Sequence, residues 1–373
     1  MKKRRILSLT GTRADYGIYK PVYRAIEQSS QLLLELVVVG MHLRKEFGRT
    51  VDGIRDDGFP IVAELDTVTT EDTPRSMAEY VGRTTVACAS VLDEHRPDIV
   101  FLLGDRGEML AGAIAAAELG IPIAHLHGGE QTGSIDDVMR NAITHMASLH
   151  LTTADPHSEA VQRMKGSADN VYTVGAPALD VIRTFTPIPK EILCKDHGLN
   201  PKLPVLLFVQ HPDTREKISP EEQLQPSLEA MRSFPGNIMI LGANADAGGI
   251  RMNALLQQFV KGKANYVFVL SLPHEQFLSW EASADVLVGN SSSGIIEAAS
   301  FHLPVVNIGG RQYRRTRSGN VLDVPYDAEA ITRALQQALR SETFRAKVAT
   351  CRNAYGDGHA AERIVRILEH FVA

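Results

Sequence analysis

Short apolar runs alternate with stretches in which apolar residues recur every three to four positions, almost from end to end of the chain. The runs have the length of buried parallel strands, and the periodic stretches that of helices packed on a sheet. Runs at 6–9, 36–39, 61–65, 98–103, 121–126, 150–153 and 171–174 predict strands. Between them Tyr19, Val22, Tyr23 and Ile26 share one helix face, and further helices are expected over 74–95, 109–119, 135–149 and 156–164. The rhythm breaks over 185–204, where prolines 187, 189, 201 and 204 and weak periodicity mark a linker. It then restarts, with strands at 205–209, 238–241, 266–270, 286–288 and 305–308. Helices are expected over 220–234, 250–260, 273–283 and 295–299, and two more, 328–339 and 360–371, close the chain.

This alternation predicts an α/β fold of two Rossmann-like, doubly wound parallel-sheet domains. The N-terminal domain covers 1–185 and the C-terminal domain 186–373, with the last helix, about 359–373, a candidate to pack back on the N-terminal domain. Ligands of such sheets bind just beyond the carboxyl ends of the strands. The loops 11–17, 104–107, 127–130, 210–213, 289–294 and 309–311 all follow strands, so they are expected to face one interdomain active-site cleft.

Composition narrows the function without fixing it. The 373 residues suffice for two domains with proper cores. A net charge of −5 gives no broad attraction for nucleic acid or acidic lipid, so any anion site must be local. Cys88, Cys194 and Cys351 form no CxxC pair, which fits a reducing cytoplasm. The basic start, MKKRR, precedes an apolar run too short for a signal peptide, and no stretch is long enough to span a bilayer. Neither nucleic acid nor membrane is an expected partner.

The strand ends carry the candidate chemistry. Ser291, Ser292 and Ser293 lie between Gly289 and Gly294, just before a helix, where hydroxyls and backbone N–H groups can hold a phosphate. Glu297 follows, placed to accept ribose hydroxyls, and Arg311 opens an arginine-rich loop. The same features also fit ordinary capping and a solvated loop. Arg13, bracketed by Gly11 and Gly17, can reach a phosphate or carboxylate. Asp105 stands at a strand tip, as an acid/base group or as a helix cap. His125 and His127 are two apart, which on a strand places them on one side. No third ligand stands at metal spacing, so no metal is expected. Glu130, Asp136 and Asp137 add carboxylates near His127, although acids also favour a helix start. His211 leaves an apolar strand and can donate to a departing diphosphate, and Asn244 follows the next strand. Neither a P-loop nor a complete GxGxxG is present.

Read together, GTRADYG at Gly11, GMH at Gly40, GDR at Gly104, HGGE at His127, TGSIDD at Thr132, HPDT at His211, GNSSSG at Gly289 and GGRQ at Gly309 resemble the UDP-N-acetylglucosamine 2-epimerase family. GTRAD and His211-Pro212 side with its hydrolysing branch, which serves sialic-acid-type and legionaminic-acid-type pathways; the non-hydrolysing branch is expected to show GTRPE and an HR pair. The resemblance implies a glycosyltransferase B-like fold, with the sugar on the N-terminal side and UDP mainly on the C-terminal domain. Ser291, Ser292 and the backbone around Gly294 would hold phosphate, Glu297 the ribose, and the backbone near Leu272 the uracil. Arg13, Arg106, His211, Asn244 and Arg311 would complete the nucleotide contacts.

The resemblance also implies the reaction. The C2 proton and UDP are eliminated to leave 2-acetamidoglucal, and water is then added to give free N-acetylmannosamine. No cofactor is implied, and a homo-oligomer, dimer or tetramer, is. By position Asp105 and Asp136 match two catalytic acids of the family. Two departures stand out: the family usually has glutamate where this chain has His127, as HIEGGE against HLHGGE, and Asn141 stands where histidine is common. Either His127 or Glu130 would then take the glutamate's role, or the sugar differs, as in UDP-N,N′-diacetylbacillosamine. A non-hydrolysing epimerase is a further alternative.

Overall fold

A computed structural model describes residues 3–45, 49–68, 73–131, 135–244 and 248–372. The chain divides into two compact units, Met1–Arg183 with Tyr355–Ala373, and Thr184–Ala354.

In the first unit the strands are β1 (Arg4–Thr10), β2 (Leu32–Val39), β3 (Ile61–Leu65), β4 (Ile99–Leu103), β5 (Ile123–Leu126), β6 (Leu149–Thr152) and β7 (Val171–Thr173). They form one sheet in the order β3-β2-β1-β4-β5-β6-β7, parallel throughout. Its helices are α1 (Arg13–Gln28), α2 (Val51–Asp56), α3 (Pro74–His95), α4 (Gly107–Glu118), α5 (Ile135–Met146), α6 (Asp155–Lys165) and α7 (Ala178–Thr184). Strand alternation splits the apolar residues between two cores: Ile6 joins Tyr19, Tyr23 and Phe101 on one face, and Leu7 joins Cys88, Met109 and Ile143 on the other. A sheet buried on both faces reads as continuous apolar runs, which is why the strands were visible in the sequence.

The second unit repeats the plan. α8 (Lys190–Asp196) precedes β8 (Val205–Val209), α9 (Pro220–Met231), β9 (Asn237–Leu241), α10 (Gly249–Val260), β10 (Tyr266–Val269), α11 (His274–Ser283), β11 (Val286–Gly289), α12 (Ser293–Ile296), β12 (Val305–Ile308), β13 (Val321–Val324), α13 (Ala328–Arg340) and α14 (Glu342–Ala349). The sheet order is β10-β9-β8-β11-β12-β13. The stretch read as a linker contains α8, which starts after Pro189 and buries Leu193 and Cys194. The edge strand β13, VLDV, was not expected; it is half-exposed, as are the edge strands β3 and β7.

The final helix, α15 (Ala360–His370), belongs to the first unit, with Tyr355–Ala373, rather than to the stretch 186–373. Ile364 and Leu368 enter the core around Tyr23, and the buried carboxylate of Asp180 accepts the Ala360 and Ala361 N–H groups at 3.0 and 2.9 Å. Asp180 thereby caps the first turn of a helix far away in sequence. No helix among the described residues is long and apolar enough to cross a membrane.

In each unit strand order reverses at one point, between β1 and β4 and between β8 and β11. The carboxyl ends of strands flanking such a switch point are the natural ligand positions. The residues there are Gly11 and Gly104-Asp105-Arg106 in the first unit, and Gln210-His211 and Asn290-Ser291 in the second.

Candidate active site

In the first unit the turn after β1 is fixed by a capping box. The Thr12 hydroxyl accepts the Asp15 N–H at 3.3 Å, and Asp15 Oδ2 accepts the Thr12 N–H at 3.1 Å. Asp15 is therefore committed to the turn, and burial pushes its carboxyl up to about 6. Arg13, the first residue of α1, is exposed. Arg106 caps α4 and points inward: its Nε bonds Glu108 Oε1 at 2.7 Å and lies 3.9 Å from Asp15 Oδ2. A Cβ at Gly11 would meet Glu108 Oε1 at 2.2 Å, so a side chain there would displace the Glu108 carboxylate from Arg106.

Asp105 lies at the tip of β4, half-buried, with its carboxylate gripped by Arg140 Nη2. Arg140, on α5 and nearly fully buried, also bonds Asp137 Oδ1 and the Glu130 carbonyl, both at 2.9 Å. Three segments of chain are thereby drawn onto one planar cation. Asp136 is exposed in the first turn of α5, beside Asp137; Thr132, Gly133 and Ser134 of the TGSIDD motif lie outside the described residues.

Strand alternation does not govern His125 and His127, because only His125 lies on β5. The strand ends at Leu126, and His127 takes left-handed backbone, φ 66°. His125 is fully buried; its Nε2–H donates to the Gly104 carbonyl at 2.8 Å and its Nδ1 faces the Thr144 hydroxyl at 3.1 Å. Burial lowers its pKa to about 4, so it stays neutral and pins β5 to the exit of β4. His127 instead turns to Glu130, with Nδ1 and Oε1 2.8 Å apart. A non-glycine residue at positive φ costs roughly 1 kcal/mol or more and is a recurring feature of functional sites.

In the second unit Asn290 organises the strand tips. Its Oδ1 accepts the His211 N–H at 2.7 Å, its Nδ2 donates to the His211 carbonyl at 2.8 Å, and its own carbonyl accepts from Arg311 at 3.2 Å and Gln312 at 2.9 Å. The Asn244 N–H donates to His211 Nδ1 at 3.1 Å, which leaves the ring proton of neutral His211 on Nε2. The Ser291 and Ser293 hydroxyls meet at 3.0 Å. The helix expected after this turn is only Ser293–Ile296, followed by a 3-10 turn, Ala298–Phe301. So short a helix has little dipole, and an anion here would depend on hydroxyls and N–H groups. Glu297 falls at the junction of the two turns, not in a first helical turn. Burial pushes its carboxyl up to about 7, and holds neighbouring Glu281 well above the carboxylate range with the charge of Glu297 adding to the effect. Gly294 is buried, and a Cβ there would lie 3.1 Å from Leu287 and Val305, so packing accounts for the glycine. Leu272 is half-buried in the loop after β10.

The sequence model of the UDP-N-acetylglucosamine 2-epimerase family matches residues 24–369. The chain belongs to that family. A relative from Legionella pneumophila, named UDP-N,N′-diacetylbacillosamine 2-epimerase (hydrolyzing), is 37% identical over 98% of this chain and 96% of its own length. The polysialic acid biosynthesis protein P7 of Escherichia coli is 31% identical over 100% of this chain and 95% of its own. Among solved structures, the UDP-GlcNAc 2-epimerase of Neisseria meningitidis bound to UDP-GlcNAc superposes with a TM-score of 0.81 at 17% identity, covering 98% of this chain and 99% of that one, a likeness in fold.

For an epimerase of this family, the strand-end residues read from sequence fall into two sets. Asp105, His127, Glu130 and Asp136 lie in the first unit with Arg13 and Arg106, and His211, Asn244, Leu272, Ser291, Ser292, Gly294, Glu297 and Arg311 in the second. Arg140, Thr153, His157 and Asn290 were missed. Arg140 stands in a helix with acidic neighbours, the pattern of a solvated face, and only its near-complete burial reveals its part. Asn290 was inside a quoted motif but is silent without knowledge of which strands adjoin.

Proposed function

We propose that this epimerase hydrolyses a UDP-2-acetamido sugar with inversion at C2, taking UDP-N-acetylglucosamine and water to N-acetylmannosamine and UDP. Elimination of the C2 proton and UDP gives 2-acetamidoglucal, and hydration of that alkene gives the free sugar. The reaction needs a base and an acid at C2 and hydrogen-bond donors where the diphosphate leaves. The observation that carries the reading is this division of chemistry. Asp105 on Arg140 and His127 on Glu130 gather acid/base groups at the first unit's strand tips, and His211 Nε2–H with Arg311, Ser291 and Ser292 gathers donors at the second's. Asp136 is the further carboxylate of the first set, and Glu297 takes the ribose hydroxyls. Arg13 and Arg106 add positive charge, Asn244 orients His211, and the backbone near Leu272 meets the uracil. Such groups suffice for elimination and hydration without a metal or a nicotinamide.

A second substrate to test is suggested by a relative's name and by one residue of this chain. The Legionella pneumophila relative is named for UDP-N,N′-diacetylbacillosamine, and His127 replaces the usual glutamate in this chain. Incubating the protein with each UDP-sugar and measuring free UDP decides between the two, and absence of UDP from both sinks the reading. The three free cysteines, with Cys88 and Cys194 buried, fit a cytoplasmic enzyme. A homo-oligomer, dimer or tetramer, completes the proposal, and sedimentation of the purified protein tests it.

A further inference from the structure

We infer that His127 exchanges protons through Nε2 as the histidine of a histidine–carboxylate pair, with Glu130, Thr153 and His157 as the positioning chain that sets it. The inference rests on the function proposed above and assigns a part to groups that function leaves open.

The hydrogen bonds run in one direction. Thr153 donates its only hydroxyl proton to Glu130 Oε1 at 2.8 Å, so Glu130 accepts as a carboxylate. The Thr153 oxygen then has only acceptor capacity left, and His157 Nδ1, 2.8 Å away, must be the N–H that fills it. The same Oε1 lies 2.8 Å from His127 Nδ1. A carboxylate accepts only, so the proton of neutral His127 resides on Nδ1 and Nε2 carries the lone pair. Nε2 is buried and makes no hydrogen bond among the described residues. An imidazole nitrogen left unpaired in a buried setting is costly unless something fills it, and a reacting C–H or hydroxyl is such a partner.

The backbone is built to hold this arrangement. His127 takes φ 66° and Gly129 φ 80°, so the turn folds Glu130 back toward His127. The turn lies on the first turn of α6, where a Cβ on Gly129 would meet the His157 carbonyl at 2.3 Å. The neighbouring charged or titratable groups make bonds of their own. His125 is neutral and bonded to the Gly104 carbonyl, and Arg140 bonds the Glu130 carbonyl, Asp137 and Asp105.

In the elimination the C2–H bond breaks and its electrons become the C1=C2 double bond. The C1–O bond breaks with its electrons leaving on UDP, and the proton goes to His127 Nε2. The imidazolium so formed keeps its Nδ1–H on Glu130, whose charge stabilises it. Glu130 is thus a positioning residue, and His127 is the group that takes the proton.

The test uses Glu130→Gln, Thr153→Val and Thr153→Ser. Steady-state UDP release is followed from pH 5 to 9, and 15N spectra of histidine-labelled protein are assigned with His127→Gln. Glu130→Gln is expected to lower kcat about a hundredfold with KM nearly unchanged, and to move the acid limb of kcat/KM to lower pH. Thr153→Val strips a donor from the Glu130 carboxylate, which then holds the imidazolium more strongly, so the limb moves to higher pH with roughly tenfold loss of kcat, and Thr153→Ser restores both. The neutral His127 of the unaltered protein shows its proton on Nδ1. Acid limbs unchanged in both Glu130→Gln and Thr153→Val, or a proton on Nε2, overturn the inference. If the unaltered protein releases UDP from neither sugar, the proposed function falls, and the 15N spectrum still decides the tautomer.

Discussion

Arg140 closes an ion pair on Asp105 across two elements of the first unit, while its other nitrogen bonds Asp137 and the Glu130 carbonyl. The Asp105 side chain is only 23% exposed, so removal of the cation leaves a poorly solvated charge. Arg140→Met is expected to cost about 2–3 kcal/mol of stability and roughly a hundredfold in kcat, with UDP affinity unchanged. Arg140→Lys recovers little, because an ammonium cannot reproduce the fork. Thermal melts, UDP release and UDP titration together check this; wild-type kcat in Arg140→Met would break the link between the pair and the chemistry.

His211 is held by Asn290 through both of its backbone groups and by the Asn244 N–H through Nδ1. A donor at the leaving diphosphate is worth most in the transition state. His211→Ala is therefore expected to lower kcat about 10²- to 10³-fold with a small change in KM. Asn290→Ala gives a similar fall and also loses about 1–3 kcal/mol of stability, since it strips partners from buried backbone groups. A rise in KM alone would place His211 in ground-state binding instead.

Glu297 titrates near 7 because it is buried, against an ordinary value of 4.5, and Asp15 near 6 against 3.8. Both folded-state values are raised, so the folded chain binds more protons between the two values of each group. Stability is full below the ordinary values and falls as pH rises through about 7. Ribose hydroxyls donate to the carboxylate form, so UDP binding strengthens from pH 6 to pH 8. Glu297→Gln is expected to flatten both profiles, as seen by denaturant melts and calorimetric UDP titration. A UDP affinity independent of pH would remove Glu297 from the ribose.

Gly129 has two reasons to be glycine, φ 80° and the His157 carbonyl 2.3 Å from where a Cβ would lie. Gly129→Ala is expected to lower the melting temperature and activity together. Gly120→Ala, at φ 67° but with open space around it, bears only the conformational cost and keeps activity. Equal behaviour of the two variants would deny the close approach of the turn to α6.

The two sheets were legible because parallel strands buried on both faces leave continuous apolar runs, as with Ile6 and Leu7 feeding opposite cores. The edge strand β13 is only four residues long with an aspartate in its run, and α8 was hidden by the prolines that flank it. The attachment of α15 to the first unit depends on Asp180 capping Ala360 and Ala361, a contact between distant positions that no local pattern records. Motif residues at strand tips could be found because a tip is a sequence position. Their supports could not: Arg140 and Thr153 become meaningful only when the neighbours of α5 and β6 are known. The left-handed turn at His127 likewise broke the alternation that placed it beside His125.

Removal of the C2 proton, expulsion of UDP and addition of water by one protein each leave a mark on the products. Reaction of UDP-N-acetylglucosamine in heavy water, with UDP-N,N′-diacetylbacillosamine in parallel, followed by NMR at C2, tests all three most directly. Free UDP and an equal amount of free 2-epimerised sugar carrying deuterium at C2 are expected from one of them. Deuterated UDP-sugar without free UDP, or UDP with undeuterated sugar, would contradict the proposed reaction.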